Sequence, residues 1–350
     1  MRGITITGIV AVCAALTAAT GGPSGGAAAE SWRLELATQY FPAAGSHSQY
    51  DLVLAEGRTG WFFGGSNVTG RGVPEIEVRS DGRWIQSVLP SGLRSSIAGA
   101  SAVSATDIWA VTYLGGAVLN WNGSSWLARP QGRWNDDARF TGIVALGAGD
   151  VWLFGEKGRS RPGAGTWHLS GSKWTKASGA AAEIYQASAA SRTDLWGIGG
   201  TGGSMRALLR YSGSTWRQVS PGALKGFSYS YVLAFAPANV WVAGSVAGAP
   251  ELAHYDGRGW TTWSMPGTTP ATGMCRDGRG GLWVIANSGA GPSTVLDRSA
   301  NGSWTSAPVG PTPATEVLGC AALGSTGSAL GAGVSAAPAG TAAAAYSYAP

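Results

Sequence analysis

The phrases "DIWAVTYLGGAVLNWNGSSW" from Asp107, "DVWLFGEKGRSRPGAGTWHLSGSKW" from Asp150, "DLWGIGGTGGSMRALLRYSGSTW" from Asp194 and "NVWVAGSVAGAPELAHYDGRGW" from Asn239 are versions of one unit. Its first anchor is a Trp in an apolar strand pattern, at Trp61, Trp109, Trp152, Trp196, Trp241 and Trp283, with Leu330 of "GSALGAG" in the same place. The steps are 48, 43, 44, 45, 42 and 47 residues. A fixed period in the forties, carried by strand-like units, restricts the chain to a propeller or a similar array.

A second anchor follows a Gly or Ser turn at Trp84, Trp126, Trp174, Trp216, Trp260 and Trp304. With a strand before the first anchor and one between the two, each unit is a four-stranded antiparallel meander. The seventh unit begins near Glu316 and ends at Pro350 without a second Trp, whereas "ESWRLELA" near the start reads like a fourth strand. If Trp32 completes that unit, the chain is all-β, a seven-bladed propeller with no sheet edge left open at its closure. The alternative is six blades and a degenerate tail. Of 17 Trp, 13 stand on the two ladders, Trp32 included.

The segment 1–29 has Arg2, an apolar run from Ile4 to about Ala19 and the small residues Ala27-Ala28-Ala29. That is the layout of a secretory signal peptide, so residues 30–350 are expected to form one exported propeller domain. No later run approaches the ~20 apolar residues of a membrane span. The net charge of +5 includes no basic run, which argues against a nucleic-acid partner. Cys275 and Cys320 stand eight and ten residues before the anchors Trp283 and Leu330, near-equivalent places in neighbouring units. Export makes a disulfide between them the expected state.

Trp241-Val242-Ala243-Gly244, followed by Tyr255 and Trp260, resembles the β-propeller repeat of the kelch and galactose-oxidase central-domain type, with Gly64-Gly65 and Gly199-Gly200 matching its Gly pair. "RSDGRW" (79–84), "YSGSTW" (211–216) and "YDGRGW" (255–260) are similar to degenerate Asp-box hairpins of sialidase-like propellers, which are structural turns. These likenesses imply a fold and no activity.

Asp107, Asp150 and Asp194, each two residues before an anchor Trp, read as turn caps. His47, His168 and His254 fall in different units and suggest no metal cluster, and no cofactor is called for. No G-x-S-x-G elbow appears. The loops leading into first strands remain, because in a propeller they crowd one face around the channel and loops carry function. They contain Trp134, Asp136, Asp137, Arg139, Tyr185, Phe227, Tyr229 and Tyr231. Here aromatics would stack, carboxylates accept and Arg139 donate. The expectation is a monomeric, secreted, non-catalytic binding or scaffold module for a carbohydrate or cell-wall polymer. Alternatives are a glycan hydrolase or lyase using Asp51, Asp136, Asp137 or Glu183, and a scaffold for a protein partner.

Overall fold

A computed structural model describes residues 32–37, 47–56, 59–68, 71–80, 83–156, 164–177, 183–200, 205–220, 222–267, 270–286, 293–308, 316–323, 325, 328–337 and 340–348. The expected signal peptide lies outside them. Alternating apolar and polar residues between tight turns form seven four-stranded antiparallel sheets, each hydrogen-bonded in chain order except the last. In blades 1 to 6 the first strands are His47–Glu56, Ile97–Ser104, Phe140–Gly147, Glu183–Ser191, Phe227–Ala236 and Ala271–Arg276. Blade 7 is built from Glu316–Ala322, Ala329–Ala337 and Gly340–Tyr348, and the N-terminal strand Trp32–Ala37 pairs with the last of these as its outer strand. First strands of adjacent blades touch all the way round, including blade 7 against blade 1. The chain is a closed seven-bladed β-propeller.

At three seams the two Trp ladders meet. A second-strand Trp of one blade meets the fourth-strand Trp of the next edge-on: Trp152 with Trp216 (5.9 Å, 81°), Trp196 with Trp260 (5.8 Å, 83°) and Trp283 with Trp32 (5.6 Å, 78°). A third-strand Tyr of that next blade completes each trio, Tyr211, Tyr255 and Tyr348 respectively. Trp32 therefore does at the closure what Trp216 and Trp260 do inside the ring. Edge-to-face pairs of this kind contribute about 0.5–1.5 kcal/mol beyond their buried area. Among the described residues the buried indole N–H groups of Trp32, Trp152, Trp196, Trp216 and Trp283 have no hydrogen-bond acceptor. Between blades 7 and 1, Leu330 replaces Trp, and its Cδ1 lies 2.2 Å from where a Cβ on Gly60 would stand, so a side chain there would have to push Leu330 aside.

The recurrent Asp residues do more than cap turns, which corrects the sequence reading. Each accepts a hydrogen bond from the third-strand side chain opposite the anchor Trp: Asn120 Nδ2 to Asp107 (2.8 Å), His168 Nε2 with Asp150 (2.9 Å), and Arg210 to both oxygens of Asp194 (2.8 Å each). The held groups lie on the indoles. His168 stacks on Trp152 at 4.1 Å and Arg210 lies 4.8 Å from the Trp196 ring centre. In blade 5, Asn239 Oδ1 accepts from Trp241 Nε1 and His254 Nε2, and His254 stacks on Trp241 at 4.2 Å. Two inner strands are also stapled covalently, since Cys275 of blade 6 and Cys320 of blade 7 form the expected disulfide. It closes a separation of 45 residues, worth about 4 kcal/mol on the chain-entropy view.

Burial holds the His254 imidazole below its ordinary value, with Asp256 pulling it up and Arg298 pushing it down. A folded pKa below the unfolded one means that the unfolded chain takes up the proton first. The stability contributed by neutral His254 is thus present above about pH 6.5 and is lost as pH falls from there through the folded value. Replacing His254→Asn, the residue type blade 2 uses at Asn120, is expected to flatten this part of the acid limb. Urea midpoints at pH 7.5 and 5 for both proteins check it, and parallel limbs would contradict it.

Candidate functional site at the channel mouth

Because successive strands reverse direction, loops between blades and between second and third strands share the upper face, and the two remaining turns of each blade share the lower. Near the upper end of every first strand the register with the second strand slips by one residue. The extra residues are Asp51, Ala98, Thr141, Tyr185, Ser230, Thr272 and Leu318, a ring of bulges at one end of the channel. Bulges re-aim side chains and interrupt pairing.

Glycine in the second strand makes room for the bulge. Opposite it stand Gly64, Thr112, Gly155, Gly199, Gly244, Ala286 and Gly333. A Cβ on Gly199 would come within 1.7 Å of the Glu183 carbonyl oxygen, and one on Gly244 within 2.1 Å of that of Ser228. Below the bulges, side chains of one blade satisfy the open backbone edge of the next. Gln186 accepts from Val232 N (2.8 Å) and donates to Val232 O (2.9 Å), while Ser101 and Ser188 accept from Ala145 N and Ala234 N. Thr141 Oγ1 donates to Ile184 O at 2.7 Å.

The expected site residues divide in two. Trp134, on the loop into blade 3, is wedged edge-on among Phe140, Trp167 and Trp174 at 5.1–5.5 Å and donates its indole N–H to Gly115 O. Phe227 and Tyr229 are 5% exposed and pack on each other. Tyr231 is half-buried in the seam of blades 5 and 6, and burial pushes the phenols of Tyr229 and Tyr231 above their ordinary value. These four rings serve packing. Asp136, Asp137 and Arg139 are exposed on the loop into blade 3, and Tyr185 donates its hydroxyl to the buried Glu183 on the first strand of blade 4. The side chain of Asp51 lies outside the described residues.

Two further residues complete the exposed group. Tyr113 Oη donates to Glu156 Oε1 (3.1 Å), and Arg139 Nη1 stands 3.7 Å from Glu156 Oε2 with its guanidinium 5.8 Å from the Tyr113 ring centre. A backbone bond from Phe140 N to Tyr113 O joins blade 3 to blade 2 beneath them, and one from Glu156 N to Arg139 O ties the entry loop of blade 3 to the end of its second strand. Burial, then Glu156, raises the Tyr113 phenol above its ordinary value, with Arg139 opposing. The mouth therefore presents fixed donors and acceptors of both charges. Among the described residues no group of three or more His, Cys, Asp or Glu could hold a metal ion. Sequence reasoning missed Tyr113 and Glu156, whose only signal is that each closes a second strand, Glu156 directly after Gly155.

No protein-family model matches the chain, and no curated protein sequence matches it. Solved structures match its fold. YCF48 bound to D1 peptide is similar over 90% of this chain and 97% of its own, with a TM-score of 0.59 and 14% identity. A catalytically inactive virginiamycin B lyase from Staphylococcus aureus with quinupristin aligns over 91% and 100% (TM-score 0.64, 11% identity). The extracellular domain of a putative one-component system from B. thetaiotaomicron aligns over 91% of this chain and 40% of that one (TM-score 0.58, 12% identity). These likenesses establish the propeller architecture.

Trp134→Ala empties the space between three rings and is expected to cost about 2–3 kcal/mol, the low side for a buried aromatic because Trp134 is only half-buried. Asp136→Asn, two positions along the same exposed loop, is expected to stay within about 0.5 kcal/mol. Guanidinium unfolding of both variants checks the contrast.

Proposed function

We propose that the chain is an exported binding module that grips an extended polypeptide segment at the upper channel mouth. The observation that carries this reading is the Tyr113–Glu156–Arg139 group near Asp136 and Asp137 in sequence: a partly exposed set of donors and acceptors where the entry loop of blade 3 bonds to blade 2. Such groups suit backbone amides and charged side chains. A sugar reader needs open ring faces, and Trp134, Phe227 and Tyr229 are committed to packing, so a carbohydrate or cell-wall ligand has less support than a peptide. YCF48, a propeller of like fold, is seen with a peptide. Export rests on the N-terminal segment 1–29 and agrees with the Cys275–Cys320 disulfide. Kelch-type kinship rests on glycines such as Gly64 and Gly199 opposite the bulges. The module acts as a monomer in this reading.

Selection of the mature chain, 30–350, against a displayed random peptide library, in parallel with pull-down on insoluble glycans and cell walls, tests the reading. Selected peptides are expected to bind saturably and to lose at least tenfold in affinity with Arg139→Glu, which reverses one charge of the group. Saturable glycan binding without peptide binding would overturn it.

A further inference from the structure

On the lower face of blade 6 a buried cation has no acceptor for its Nε–H among the described residues. Where blades 2, 4, 5 and 7 place Trp121, Tyr211, Tyr255 and Tyr348 at the lower end of the third strand, blade 6 places Arg298. An aromatic in this seam has become a charge. Arg298 is 9% exposed, and its guanidinium carbon lies 4.8 Å from the ring centres of both Trp241 and Trp263. Those contacts satisfy a face of the guanidinium and none of its five N–H donors. Among the described residues Nε is buried without a hydrogen-bond partner, and no carboxylate pairs with the group. Burial lowers its pKa from the ordinary arginine value, the direction an anionic acceptor would reverse.

Two more arginines share that end of the blade. Arg276 ends the first strand, exposed, with its guanidinium 4.3 Å from the Phe235 ring centre. Arg279, in the following turn, reaches Asp297 Oδ2 at 3.4 Å. Asp277, on the same turn, is 2% exposed and spends Oδ1 on the N–H groups of Arg279 and Gly281. The local surplus is therefore cationic, and its most buried member is the one lacking an acceptor. We propose that Arg298, supported by Arg276 and Arg279, forms an oxyanion site on the lower face that takes a phosphate or carboxylate group. It lies on the face opposite the peptide mouth and is independent of that reading.

The test is thermal unfolding of the mature chain at pH 7.5 with increasing inorganic phosphate or, separately, citrate, the ionic strength being held constant with sodium chloride. A saturable rise in midpoint is expected, about 2–3 °C at ten times the half-saturating concentration. Arg298→Gln should abolish the rise. Because that change touches the core, Arg276→Ser with Arg279→Ser, both exposed, provides the second variant, with half-saturation expected at least tenfold higher. A rise with phosphate alone assigns the site to phosphate-bearing ligands, and one with citrate alone to carboxylates. No saturable rise, or the same rise in both variants, overturns the proposal.

Discussion

Blades 3, 4 and 6 of this propeller each have an aromatic edge that only the next blade can finish. Trp152 needs Tyr211 and Trp216, Trp196 needs Tyr255 and Trp260, and Trp283 needs Tyr348 and Trp32. A single four-stranded blade would leave those rings in water, and an open row of blades would leave one set bare at each end, as in other nearest-neighbour arrays. Closing the ring removes both ends. Strand Trp32–Ala37 joins blade 7 for this reason: it supplies the partner that Trp283 lacks. The Cys275–Cys320 disulfide then ties the inner strands of the same two blades.

The closed ring separates two surfaces of different chemistry. On the upper face, bulges in the first strands lie against small residues of the second strands, and Tyr113, Glu156 and Arg139 of blades 2 and 3 form one group. On the lower face, short turns present charges anchored on indoles. The Asp–His and Asp–Arg pairs of blades 3 and 4 are held within the blade, whereas Arg298 of blade 6, at the place of Tyr211 and Tyr255, has no acceptor for Nε among the described residues.

Blade number, strand order, closure and disulfide were legible because each leaves a periodic mark: an anchor every forty-odd residues, a missing last Trp and a spare first one, and two cysteines in like places. The candidate site was less so. Trp134 stands off both ladders and looked free, but Trp167 and Trp174 belong to the same blade's later strands and Phe140 to its first, a convergence set by tertiary packing. Phe227 and Tyr229 were read as part of a loop entering a first strand, but they lie on the strand itself and the seam with blade 4 buries them. Asp107, Asp150 and Asp194 recur two residues before Trp, yet their partners lie on the third strand 13 to 18 residues away, a distance no turn rule covers. The bulges are events of backbone register whose sequence trace is the small residue across from them.

The central claim is that the N-terminal strand closes the ring through the same aromatic contact used between internal blades. A double-mutant cycle on Trp32→Leu and Trp283→Leu, read by guanidinium unfolding, tests it most directly. The account predicts a coupling of about 0.5–1.5 kcal/mol between the two positions, some 250 residues apart in sequence but with ring centres 5.6 Å apart. Losses that simply add, within about 0.3 kcal/mol, would contradict it.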